Sequence, residues 1–269
     1  MVGYYDTPIK IKMAKQIVFS LLSLKDGEIP DEGTMSDMLV KRGPTYKGTA
    51  SIKEADSTVF DVLAEEYPEP DESFTTEGLI TLVFSTYDYD PEMLVAYKGG
   101  SITDDDMWAK PAYPPEIERS WQTISKDGYL VEIPRGKLRS KFNYEMKQDG
   151  VALLENTVTA LKPRGAGVAS IFMGKYKLPM VSAGNAQNIT VANANLTGTA
   201  SAFRGTISSQ IWTCVQKPVA AADPGITTPA TLNTAITGLV TGTYKFQLAV
   251  ADENGFENKA TVTVTVALP

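Results

Sequence analysis

Ile236-Thr-Gly-Leu-Val-Thr-Gly-Thr-Tyr-Lys-Phe-Gln-Leu-Ala-Val-Ala-Asp-Glu-Asn-Gly255 runs on into Ala260-Thr-Val-Thr-Val-Thr-Val266. Thr261, Thr263 and Thr265 alternate with Val262, Val264 and Val266. Successive side chains of a strand point to opposite faces, so this is a strand with one face in water and one in a core. Thr243–Ala251 reads as its partner. Working outward, Ile189–Val191, Asn195–Thr199, Ile207–Val215, Leu232–Thr237 and Lys259–Val266 are short strands. Turn residues separate them at the intervals of a β-sandwich. Residues 178–269 therefore read as all β.

Upstream the composition changes. Thr, Ala, Val, Asn and Gly dominate after Lys177; charges and aromatics are frequent before it. Pro163-Arg164-Gly165-Ala166-Gly167 is a loop, Val168–Met173 a short strand, and Pro179 a second breaker. These features divide the chain into residues 1–177 and 178–269. The first part reads as mixed. Ile17–Leu24 is a strand closed by Lys25-Asp26-Gly27. Tyr46, Gly48, Ala50 and Ile52 share a face at period two. Ala55, Val59, Val62 and Leu63 follow helical spacing, which predicts a short helix ending before Tyr67-Pro68. Leu79–Phe84 is apolar on both faces and suits a buried strand. Asp90-Pro91 opens a helix with an N-cap acceptor followed by proline; Met93, Leu94 and Tyr97 are its stripe, and Gly99-Gly100 ends it. Trp121–Ile124 and Tyr129–Ile133 flank Ser125-Lys126-Asp127-Gly128 as a hairpin. Leu138, Phe142, Tyr144 and Met146 alternate with Arg139, Lys141, Glu145 and Lys147, and Gln148-Asp149-Gly150 turns the chain into Val151–Leu161.

The chain has 269 residues, 43% hydrophobic and 21% charged, enough to bury a core. No apolar run reaches the length of a membrane span, and Met1–Lys15 has no signal-peptide pattern. There is no histidine and one cysteine, Cys214. That excludes Ser-His-Asp and Cys-His nucleophilic sites, His-ligated metals, an intrachain disulfide and any multi-Cys metal site. Paired carboxylates, lysine chemistry and oxygen-ligated cations remain. Four of the 32 acids and four of the 25 bases lie in 178–269, which is neutral; the other 28 and 21 leave residues 1–177 with the whole net charge of −7. An acidic surface argues against tight nucleic-acid binding and suits solubility, or repelling DNA that slides past.

Each candidate for chemistry has a plainer reading. Asp104-Asp105-Asp106 could bind a divalent cation, but consecutive side chains diverge, and a solvated loop is favoured. Glu65, Glu66, Glu69, Asp71 and Glu72 could supply acid–base carboxylates; Pro68 and Pro70 among them describe an exposed loop or subunit contact instead. Arg135, Lys137, Arg139 and Lys141 would share one strand face, and a solvated face and an interface fit equally. No aromatic lies between them to stack bases. Trp212 reads as core rather than ligand platform, with Cys214 a small buried hydrophobe beside it. Gly165-Ala166-Gly167 lacks the residues of a phosphate loop. No catalytic, cofactor-binding or metal-binding residue is assigned.

Residues 178–269 resemble an immunoglobulin-like β-sandwich of the PKD type. The resemblance is carried by Asn188-Ile-Thr-Val191, Leu196-Thr-Gly-Thr-Ala-Ser201, Ile211-Trp-Thr213 and, above all, by Ile236–Gly255 running into Ala260–Val266. Tyr244 falls where that family places a tyrosine-corner-like residue; the family's Trp-x-Phe-Gly-Asp-Gly segment is missing. The first part resembles tail tube proteins of long-tailed bacteriophages in its element order: strand, helix, buried strand, the capped Asp90–Gly100 helix, then long charged hairpins. Tail tube proteins commonly carry a C-terminal Ig-like domain.

The fold expectation is mainly β: an N-terminal two-sheet β-sandwich or barrel with short helices, then an Ig-like sandwich. What the tail tube resemblance implies is a non-enzymatic virion subunit, assembled in the bacterial cytoplasm into hexameric rings that stack as a tube. Double-stranded DNA would pass the lumen without specific binding. Tape measure and tail terminator proteins would be partners, with no membrane and no cofactor. The loops Glu28–Met38 and Tyr67–Glu77 would bridge rings, and the Ig-like domain would stand outside. Rival readings are a capsid decoration or baseplate protein, a secreted or surface carbohydrate-binding adhesin with a PKD-type module, and a carboxylate enzyme.

Overall fold

The computed structural model describes residues 20–144 and 150–269. The start of the expected Ile17–Leu24 strand, the Met1–Lys15 segment, and Glu145–Asp149 with Met146 and the Gln148-Asp149 turn lie outside the described residues. The protein is mainly β: 51% of the described residues are strand and 3% helix.

The first unit contains β1 (Leu21–Gly27), β2 (Ser51–Glu54), β3 (Thr58–Leu63), β4 (Pro70–Thr76), β5 (Ile80–Thr86), α1 (Pro91–Lys98), β6 (Ser101–Ile102), β7 (Trp108–Ala109), β8 (Ile117–Ser125), β9 (Tyr129–Asn143), β10 (Leu153–Ala160) and β11 (Phe172–Lys175). Its frame is a seven-stranded sheet in the order β1-β8-β9-β10-β5-β2, with β11 also on β9. All of its pairings are antiparallel. The two ends approach without pairing: Leu21 from one and Ala50 and Ile52 from the other line a single cleft, so the sheet curls toward a barrel. Gly128, at φ 77°, closes the expected hairpin between β8 and β9. Its amide donates to Ser125 O at 3.0 Å.

Core and helix follow from the periodicities. Asp90 caps α1, its carboxylate accepting from Glu92 N at 2.9 Å, and Gly99 ends the helix at φ 69°. Met93, Leu94 and Tyr97 are buried. Phe84, Tyr97 and Trp121 pack mutually, with ring centroids 5.6–6.2 Å apart. Gly136 makes room for them. A Cβ there would lie 2.4 Å from Val158 Cγ1 and 2.6 Å from Trp121 Cδ1. Gly136→Ala is therefore expected to cost about 1–3 kcal/mol by overpacking; a denaturant midpoint equal to the wild-type value would contradict this.

The structure departs from the sequence expectation in three segments of the first unit. The Ala55–Leu63 stretch is not helical: residues 55–57 are a loop and the rest is β3, paired with β4 in a hairpin with Phe60 opposite Phe74. Ala55, Val59, Val62 and Leu63 satisfied helical spacing, but β-branched and aromatic side chains dominate Thr58–Val62 and favour extended backbone. Hence Tyr67–Glu77 is largely hairpin rather than loop. The Val168–Met173 strand is displaced to Phe172–Lys175, where it extends the edge of β9.

The second unit contains β12 (Met180–Ser182), β13 (Gln187–Ile189), β14 (Ala194–Thr197), β15 (Thr199–Ser201), β16 (Ile207–Gln216), β17 (Gly225–Ile226), β18 (Asn233–Thr237), β19 (Gly242–Asp252) and β20 (Glu257–Val266). A four-stranded sheet, β13-β20-β19-β16, and a three-stranded one, β14-β18-β17, enclose a core of Leu196, Trp212, Ile236, Tyr244, Phe246, Leu248 and Val262/264/266. Threonine and valine on β20 alternate outward and inward as expected. Trp212 is 1% exposed and donates from Nε1 to Leu232 O at 3.1 Å. Tyr244 Oη accepts the Val240 amide at 3.0 Å, the back-bond of a tyrosine corner. Cys214 is half-buried, not buried.

Candidate functional site

Three features carry chemistry beyond packing: a junction between the units, a charged cluster inside the first unit, and an exposed hairpin.

At the junction, Tyr176 follows β11 and belongs to both units. Its amide donates to Gly128 O at 2.8 Å. Its ring stacks on Phe256 at 4.6 Å and meets Phe203 edge-on at 5.5 Å. Its hydroxyl donates to Asp252 Oδ2 at 2.8 Å and accepts from Asn254 Nδ2 at 3.1 Å. Burial first, then the bond to Asp252, pushes the phenol well above its ordinary value. Beside it Glu132 of β9, 2% exposed, accepts from Gln122 Nε2 at 3.0 Å and from both Arg204 Nε and Nη2, at 2.8 and 3.1 Å. A bidentate arginine on a buried carboxylate fixes orientation as well as charge. Lys25 and Glu253 form a further cross-unit ion pair. None of this was legible beforehand. Glu132 lies in an alternating strand, and Arg204 in an uncharged stretch far away in sequence.

Within the first unit, Asp26 has no exposed surface. It is bonded by Arg42 Nε at 2.9 and 3.0 Å and by Tyr97 Oη at 3.3 Å, and Arg119 Nη1 stands 3.3 Å away. Burial pushes its carboxyl above the usual range despite the two arginines. The sequence reading had placed Asp26 only as a strand terminator.

The hairpin of β3 and β4 is exposed along its whole length. Phe60 and Phe74 lie opposite each other on one face, 69% and 55% exposed; Leu63 at 65% and Val59 at 59% are on the other. Its tip carries Glu65, Glu66, Glu69, Asp71 and Glu72, all exposed, with Tyr67 Oη bonded to Asp71.

The expected basic stripe does share the outer face of β9: between its members Gly136 and Leu138 are buried and Ser140 is half-buried. Its charges are mostly matched within the chain. Arg135 forms a two-point pair with Glu118 at 2.8 Å, Lys137 pairs with Glu116, and Lys141 is 3.9 Å from Glu155. The bonds from Arg135 hold the Glu118 carboxyl below its usual range. Asp104-Asp105-Asp106 is the exposed turn between β6 and β7. No group of His, Cys, Asp and Glu able to hold a metal occurs among the described residues. Cys214 donates to Gln216 O at 3.3 Å, and burial raises its thiol.

Residues 183–266 match the family described as "K319L-like, PKD domain". Among solved structures, the PKD domain of the KIAA 1837 protein is 27% identical, over 33% of this chain and 85% of that one, with a TM-score of 0.29. The PKD domain of human KIAA0319 is 23% identical, over 35% and 84%, also with a TM-score of 0.29. No curated protein matches the chain. The family match, with the enclosed two-sheet core around Trp212 and the back-bonded Tyr244, identifies residues 183–266 as a PKD-like domain of the immunoglobulin type.

Proposed function

We propose that the protein is a structural, non-enzymatic subunit that assembles with copies of itself and displays its PKD-like domain on the assembly. The observation that carries this is the β3–β4 hairpin. Burying a side chain such as Val59, Phe60, Leu63 or Phe74 is worth about 1.5–3 kcal/mol, and a hairpin this exposed is only marginally stable alone. A cross-strand Phe60–Phe74 pair facing water reads as a contact awaiting a partner. The sheet ends at β1, bridged only at Asp26 by Val40, and at β2, neither covered by a further strand among the described residues, so both add edges that a ring would cover.

The finer form of the reading is a phage tail tube: hexameric rings stacked around a lumen that conducts double-stranded DNA without binding it specifically. Tape measure and tail terminator proteins would be partners, in a virion assembled in the bacterial cytoplasm. The acidic first unit supports a lumen that repels DNA. A surface adhesin or carbohydrate-binding protein is the second reading, favoured by the PKD match. Negative-stain microscopy and sedimentation of the purified chain separate the two. Six-fold rings or tubes at high concentration are expected; a strict monomer across salt and concentration would overturn assembly and leave the surface reading.

A further inference from the structure

A second surface matches the hairpin in charge. Where α1 ends against β9, a cleft of about 250 Å³ is lined by Lys98, Lys110, Lys137, Arg139, Glu116 and Trp108. Four cations meet one carboxylate there, in a unit whose net charge is otherwise strongly negative. That carboxylate, Glu116, is paired with Lys137 and mostly exposed. Lys98 is held in place by Ser140 O at 2.8 Å and by the Phe142 ring, 4.4 Å from its Nζ. Burial first and Lys110 second lower its pKa, as for an ammonium facing another cation. Trp108 is fixed as a wall by its bond to Gly99 O at 2.8 Å. The pocket is pre-formed, positively charged and sized for one or two acidic side chains. The hairpin tip presents five carboxylates, none of them in an ion pair among the described residues.

We propose that the Glu65–Glu72 tip of one copy seats in the Lys98–Lys110–Arg139 cleft of a second copy. This rests on the self-assembly reading and names its contact. The tip is acidic, exposed and backed by apolar residues; the cleft is basic and backed by an aromatic wall. Seating one in the other would bring the tip carboxylates to Lys98, Lys110 and Arg139, which have no ion-pair partner among the described residues. Because the two surfaces differ, the contact is head-to-tail: it propagates or closes into rings rather than ending at a dimer. Charge matching of this kind sets register and speeds association more than it holds a complex together, so the hairpin's apolar residues would supply the affinity.

The test uses the full chain and sedimentation velocity over a concentration and salt series. Lys110→Glu with Arg139→Glu, and separately Glu66→Lys with Glu69→Lys, should each raise the concentration needed for assembly about tenfold or more. The neutral pair Lys110→Gln with Arg139→Gln should act in the same direction, less strongly. All these residues are exposed, so the melting midpoint of the dissociated chain should not move. Combining both reversals in one chain should recover most of the wild-type assembly. Reversals that assemble like wild type, or that fail without mutual rescue, overturn the docking while leaving self-assembly intact. A wild-type chain that never associates overturns both. If duplex DNA binds wild type at low salt and not the Lys110→Glu/Arg139→Glu chain, the cleft serves a phosphate backbone, and the docking is overturned.

Discussion

Trp212→Ala is expected to lower the stability of the PKD-like domain by about 3–5 kcal/mol, the range for emptying a buried tryptophan site. The ring is 1% exposed and packs with Leu248 across the β16–β19 pairing. Gly198 is glycine because a Cβ there would stand 3.0 Å from Trp212 Cζ2 and 2.6 Å from Leu248 Cδ2. With backbone so close on one side, the cavity left by the ring cannot collapse easily. The Leu232 carbonyl also loses the indole donor. In a domain of this size the loss corresponds to at least about 12 °C in melting midpoint. Scanning calorimetry of the full chain reads it directly. The transition of the PKD-like domain should fall, while that of the first unit shifts only through the Tyr176 and Glu132–Arg204 contacts. A transition within a few degrees of wild type would place Trp212 outside the core.

What could be read from sequence was what repeats locally. Thr261 to Val266 alternate, so β20 and its buried face were legible; Asp90-Pro91 and Gly99 are chemical signals for helix ends, so α1 was too. Ala55, Val59, Val62 and Leu63 misled because four positions fit a helical period by coincidence, and no core face exists in that exposed hairpin to reveal the true one. The charged sites were illegible for a different reason. Asp26 meets Arg42, Tyr97 and Arg119, and Glu132 meets Arg204, only after the sheet has brought distant segments together. Arg135 and Lys137 were recognised as sharing a face, but their partners Glu118 and Glu116 lie across the β8–β9 register, which a composition pattern does not specify. Lys98 and Lys110 flank a helix end and a short hairpin, so the cleft they build with Arg139 exists only in three dimensions.

Asp26→Ala is expected to be the most damaging polar substitution in the first unit. The carboxylate is fully buried, while the Arg42 and Arg119 side chains keep only 24% and 15% of their exposure. Removing it leaves two guanidinium groups in the interior facing each other, and breaking a buried ion pair from one side costs about 3–5 kcal/mol. Asp26→Asn keeps the shape and an acceptor for Tyr97, so it should cost markedly less. The two variants also separate by pH. Burial holds the folded Asp26 pKa above its unfolded value, so the native state binds more protons between the two values. Its contribution is complete below the unfolded value and declines as pH rises through the folded one. Glu118 acts in the opposite sense: held low by Arg135, it stabilises above its unfolded value and loses that contribution as pH falls. In Asp26→Asn the decline with rising pH should vanish, leaving the acid-side loss from Glu118. Urea unfolding across the carboxylate range measures both slopes. If Ala and Asn variants match each other and lie within about 1 kcal/mol of wild type, the cluster contributes nothing net, and the two arginines must find water once the carboxylate is gone.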